Sequence, residues 1–208
     1  MRIAGSLWSV PAEDRLTTAL RLRDAGLRRL HWDTTDGSFA AAGGFPPDSA
    51  AELASATGLS AEAHVMAHRA GRDVDAWTTF CDLVFVHIES DDWQEALVRI
   101  ERRGATPGLA VSPQTRAADV PADVAVLCMS IIPGQAGSAF DTAVLHKLTA
   151  LRRASPDRRL AVDGGVRRLH HGALASAGAD WAVVGTDLVF DQEDAWAEVL
   201  AAGADASV

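Results

Sequence analysis

Short apolar runs alternate with longer amphipathic stretches along the chain. Runs at Arg2–Ser6, Arg29–Asp33, Ser60–Met66, Leu83–His87, Gly108–Ser112, Val124–Ser130, Leu160–Asp163 and Trp181–Gly185 read as strands. Most are continuously apolar and several are rich in valine, which suits strands buried on both faces of a parallel sheet. Helix-period segments lie between them, at Ala12–Ala25, Ser49–Thr57, Trp93–Arg103, Asp141–Arg153 and Leu169–Ala177. Gly26, Gly58, Gly104 and Gly178 stand where these or neighbouring segments give way to the next strand. Glycine there accepts the left-handed turn that ends a helix. Eight strands and about eight helices in 208 residues predict one compact (β/α)8 (TIM) barrel of the phosphate-binding type over residues 1–208, with 201–208 a frayed tail. An open doubly wound sheet is the competing architecture, because periodicity does not show whether the sheet closes.

Composition narrows the function classes. Apolar residues make up 48% and charged residues 23%, as in ordinary globular domains. No apolar run approaches the ~20 residues of a membrane span, and the N-terminus does not read as a signal peptide, so a cytoplasmic protein is expected. A net charge of −9 argues against nucleic acid or anionic membrane as partner. It leaves room for a phosphorylated small molecule, which backbone N–H groups hold without basic side chains. The one lysine, Lys147, lies in a helix-period segment away from the strand ends, which argues against Schiff-base chemistry. Cys81 and Cys128 are isolated in apolar runs and read as buried thiols.

Polar residues that end apolar strands carry the chemistry. The second strand ends with His31 and Asp33, two apart and therefore on one face. The third contributes His64 and the seventh Asp163. Singly, each has an ordinary structural reading, such as a hydrogen-bonded core histidine or a turn-forming aspartate. Together at equivalent strand ends they form a nitrogen–oxygen set suited to one Zn, Fe, Mn or Co ion more than to Mg or Ca. His68 would need a helix to pair with His64 and is set aside. His87 and Glu89 are read as a solvated rim, and Asp36, His146, His170 and His171 as turn or helix-surface residues. Gly164 and Gly165 follow the seventh strand, and Gly185 and Thr186 end the eighth, the loops that recurrently hold phosphate in such barrels. Gly134 and Gly137 belong to a loop after the sixth strand that is expected to fold over the ligand.

At these residues the sequence resembles the ribulose-phosphate 3-epimerase family over nearly its whole length. The family's H-x-D-x-x-D-G element stands as His31–Gly37, its H-x-M as His64–Met66, its M-S-x-x-P-G as Met129–Gly134 and its V-D-G-G-V as Val162–Val166. Its G-S phosphate pair is represented by Gly185–Thr186 and its early substrate-facing serine by Ser6. The resemblance implies that His31, Asp33, His64 and Asp163 hold one divalent metal, with no organic cofactor. It implies that Asp33 and Asp163 are the acid and base that invert C3 of a ketose phosphate through an enediolate. It further implies that Ser6, His64 and the named glycines and Thr186 contact the substrate, that Met66 and Met129 wall the site, and, by analogy, a homo-oligomer.

The departures lie around the sugar. Thr35 replaces the family's usual methionine, Gly134–Gly137 reads GQAG where the family has G-F-G-G, and Ala40–Pro47 replaces a V-P-N-x-x-F-G stretch. The resemblance makes ribulose 5-phosphate the first substrate expected, and these departures leave another pentulose or hexulose phosphate as the alternative. A barrel decarboxylase or aldolase and a non-catalytic sugar-phosphate-binding barrel are the competing classes. The first is disfavoured because no lysine stands at a strand end, and the second by the complete ligand set.

Overall fold

The computed structural model describes residues 1–191 and 194–204. Eight parallel strands form a closed barrel in chain order: β1 (Arg2–Ser6), β2 (Arg29–Thr35), β3 (Ser60–Met66), β4 (Leu83–His87), β5 (Thr106–Val111), β6 (Ala125–Met129), β7 (Leu160–Asp163) and β8 (Trp181–Val184). Closure rests on the pairing of β1 with β8, from Arg2 beside Trp181 to Gly5 beside Val184. This pairing excludes the open-sheet alternative.

The strands are apolar throughout because both faces are buried. Alternate residues such as Leu30, Trp32, Val84, Val86, Val126, Val162 and Val184 join the cluster between barrel and helices. Their neighbours Ala4, Leu83, Phe85, Leu127, Met129, Ala161, Trp181 and Val183 fill the barrel interior. The interior is tight at its centre: a Cβ on Gly108 would lie 2.4 Å from the Phe85 ring. That is why glycine stands in the middle of β5.

The helices are α1 (Arg15–Asp24), α2 (Pro47–Thr57), α3 (Val74–Trp77), α4 (Trp93–Arg102), α5 (Ala143–Ala154), α6 (His171–Ala177), α7 (Thr186–Val189) and α8 (Ala197–Ala204). Gly26, Gly58, Gly104 and Gly178 all take positive φ, as expected of residues that end helices. The helical layer is less regular than the sequence suggests. A helix of four residues connects β3 to β4, and a single 3-10 turn at Ala117–Asp119 stands where a helix between β5 and β6 was expected. Residues 201–204, expected within a frayed tail, continue α8; 205–208 lie outside the described residues. No helix among the described residues is long and apolar enough to cross a membrane.

Candidate active site

Register builds the site. His31 lies beside Glu62 across the β2–β3 pair, and Asp33 lies beside His64. Residues two apart share a face, so these four side chains enter the barrel interior together. Asp163 ends β7, on the far side of the β8–β1 seam from β2. One donor atom each from His31, Asp33, His64 and Asp163 falls within 4.8 Å of all the others. The four expected ligands are therefore brought together. The donor chemistry fits a divalent cation: two nitrogens and two oxygens converge at the mouth of an apolar barrel.

Each imidazole has a defined orientation. Nδ1 of His31 faces Glu62 Oε1 at 2.8 Å, and its Nε2 lies 3.3 Å from Asp33 Oδ1. Glu62 Oε1 also accepts from Trp181 Nε1 at 3.1 Å. His64 turns the other way, with Nδ1 3.0 Å from Asp33 Oδ1 and Nε2 2.8 Å from His87 Nε2. His87 Nδ1 in turn meets Glu89 Oε2 at 2.8 Å. The expected solvated rim is thus wrong for His87, which is fully buried behind His64. His87 shares the interior face of β4 with Leu83 and Phe85, and the ring of Phe39 packs on the imidazole at 4.7 Å. Glu62 was not anticipated at all. Its signal was present, as a charged residue inside an apolar strand, two positions before His64 and on the same face.

Electrostatics separate the two aspartates. Burial pushes the carboxyl of Asp33 upward, but the nearby imidazoles of His31 and His64 outweigh it and hold Asp33 well below the usual range. Asp163 moves the other way, raised first by burial and then by the charge of Asp33. Burial opposes protonation of His31, yet Asp33 and Glu62 draw it well above its ordinary value. The cluster therefore attracts positive charge, as a cation-binding site must. Burial lowers His87 to about 4 despite Glu89.

A cavity of about 710 Å³ opens above the cluster. Asp33, Asp163, Ser6, Met66 and Met129 line it, and so do Gly134, Gly137, Gly164, Gly165, Gly185 and Thr186. His31 and His64 lie behind this wall, fully buried, so His64 is not among the cavity-lining residues where substrate contact was expected. His170, expected on a helix surface, lines the cavity and stacks on Phe140 at 4.1 Å. Gly165 is pinned at φ +58 against the loop after β6: a Cβ would meet the Ser138 carbonyl at 2.6 Å and the Phe140 nitrogen at 2.8 Å. The Ser9 and Thr186 hydroxyls join across the β1 and β8 ends at 2.9 Å. The single lysine is spent elsewhere, with Lys147 Nζ donating to the Ser112 and Pro113 carbonyls at 2.6 and 2.9 Å.

The profile of the ribulose-phosphate 3 epimerase family matches residues 2–189. The chain belongs to that family. It is 32% identical over 175 residues to the ribulose-phosphate 3-epimerase of Chlamydia pneumoniae, covering 78% of this chain and 76% of that protein. It is 29% identical over 198 residues to the cytoplasmic isoform of Oryza sativa, covering 90% and 86%. Among solved structures, 3-hexulose-6-phosphate synthase superimposes with a TM-score of 0.70 at 18% identity, over 98% of this chain and 99% of that one, a likeness of fold.

Family membership makes the departures from its pattern informative, because the structure places them in contact. A Cβ on Gly134 would lie 2.6 Å from the Cβ of Ala40, so the altered loop after β6 packs on the altered loop after β2. Thr35 does not line the cavity; its hydroxyl donates to the Ala41 carbonyl at 2.8 Å and ties the same loop down. Trp8 lines the cavity, and Gly43 leaves room for its ring, since a Cβ there would approach within 3.2 Å.

Proposed function

We propose that this chain is a metal-dependent 3-epimerase of a ketose phosphate, with ribulose 5-phosphate and xylulose 5-phosphate as its pair. The observation that carries the reading is two imidazoles and two carboxylates converging in one four-residue donor cluster, beside a glycine-lined cavity. His31, Asp33, His64 and Asp163 are the side chains that would hold a divalent ion of the Zn, Fe, Mn or Co type. When bound, that ion supplies Lewis-acid stabilisation of negative charge developing on the substrate oxygens.

The remaining work falls to the protein. Asp33, the more readily ionised of the two, takes the proton at C3 in one direction, and Asp163, which holds a proton more readily, delivers one to the opposite face. The roles exchange in the reverse reaction. Ser6, Met66 and Met129 wall the carbon chain. Backbone N–H groups around Gly164, Gly165, Gly185 and Thr186 take the phosphate, with α7 beginning at Thr186. Gly134 and Gly137 allow the loop over the cavity to turn, both at positive φ.

The test is solvent exchange. With Zn²⁺, Mn²⁺, Fe²⁺ or Co²⁺ supplied, the protein should incorporate deuterium at C3 of ribulose 5-phosphate, and Asp163→Asn should abolish incorporation while leaving the circular dichroism spectrum intact. No incorporation with any of these ions and any ketose phosphate would overturn the reading.

A further inference from the structure

The bond between His64 Nε2 and His87 Nε2, 2.8 Å long, joins two imidazole nitrogens, so one must donate and the other accept. The far end of the chain decides which. Glu89 Oε2 lies 2.8 Å from His87 Nδ1, and an ionised carboxylate only accepts. His87 therefore carries its proton on Nδ1, and in the neutral ring Nε2 is left as the acceptor. His64 must then donate from Nε2, which frees Nδ1 to face the cluster beside Asp33. The far end is itself anchored. The Ser112 backbone N–H donates to Glu89 Oε1 at 3.0 Å, and the Thr115 hydroxyl bonds to the same oxygen. Phe39 covers the His87 ring and keeps water from competing.

We propose that His87 and Glu89 are positioning residues that hold His64 in the Nε2–H tautomer, so that Nδ1 is presented to a divalent cation bound by His31, Asp33, His64 and Asp163. The two imidazoles of the cluster are then oriented by different means. His31 is backed directly by the Glu62 carboxylate, whereas His64 is backed by a carboxylate acting through a second imidazole. The strand register explains the difference. His31 stands directly beside Glu62, but the β4 residue beside His64 is Phe85, and His87 reaches back from two positions further on. The inference rests on the metal-centre reading above.

Its test uses the metal-loaded protein. Zn²⁺ affinity is measured by competition with a chromophoric chelator, with circular dichroism melting as the fold control. His87→Phe should weaken Zn²⁺ binding about 10- to 100-fold, the usual effect of losing a group that orients a ligand. His87→Gln, whose side-chain oxygen can accept from His64 Nε2, should recover most of that loss. Long-range ¹H–¹⁵N spectra of the Zn²⁺-loaded wild type should place protons on His64 Nε2 and His87 Nδ1. A folded His87→Phe with wild-type affinity, or a proton on His87 Nε2, would overturn the relay alone. A wild type that binds no divalent ion would overturn both the relay and the epimerase reading. Should His87→Phe not fold, the proton positions in the wild type decide.

Discussion

Glu62 offers a direct measure of how the barrel interior supports the donor cluster. It is fully buried, its Oε1 accepts from both His31 Nδ1 and Trp181 Nε1, and its Oε2 lies 3.7 Å from Arg29 Nη1. Glu62→Leu removes the acceptor and leaves two buried donors without partners, at ~1–3 kcal/mol each. Arg29 loses less, because its guanidinium keeps Asp82 at 2.5 and 2.8 Å. Removing a buried anion also relieves its own desolvation, which leaves a net destabilisation of about 3 kcal/mol. For a chain of this length that lowers the melting temperature by about 6–12 °C. Glu62→Gln keeps an oxygen that accepts from both donors and should cost about 1 kcal/mol. Urea unfolding followed by tryptophan fluorescence and circular dichroism, at constant m-value, measures both. A leucine variant within about 0.5 kcal/mol of wild type would refute the reasoning, as would a glutamine variant equal to leucine.

Three further outcomes follow from other parts of the molecule. Gly165→Ala places a methyl against the Ser138 carbonyl at a left-handed φ, so it should raise KM for a ketose phosphate by about tenfold or more, each tenfold being ~1.4 kcal/mol; an unchanged KM would remove Gly165 from the phosphate site. Burial raises Cys128 to about 12 and raises Cys81 as well, so neither thiol should react with a thiol reagent in the native protein and both should in denaturant; rapid native labelling would contradict the packing. Burial would raise Glu89, but bonds from His87, Thr115 and Ser112 hold it at about 2 against an ordinary 4.5, so its contribution to stability is complete above pH 4.5 and is lost as pH falls toward 2. Glu89→Gln should therefore flatten the acid dependence of the unfolding free energy over that window, and an unaltered slope would count against the bonded carboxylate.

Much of the site was legible because strand period and chemistry agree. His31 and Asp33 are two apart in an apolar run, His64 and Asp163 end other such runs, and all four meet. Glu62 carried the same signal but sits one layer deeper, where a charge is expensive unless partnered, and its partners His31 and Trp181 lie on other strands. His87 and Glu89 could be placed at a strand end from the sequence. That His87 is covered and not open to solvent came with the fold, which sets His64 against it and brings Phe39 over its ring from the loop after β2.

The sequence by itself determined the order and kind of the strands, the glycines that end the helices, the donor residues and the glycine loops that line the cavity. These depend on residue type and short-range periodicity. Closure of the barrel, the directions of the two imidazoles, the missing helix between β5 and β6 and the meeting of the two altered loops came only with tertiary structure. Each depends on pairs far apart in the chain, such as Arg2 with Trp181, His64 with His87, and Gly134 with Ala40. No local pattern records which distant residue supplies the other half of a hydrogen bond or fills the space beside a glycine.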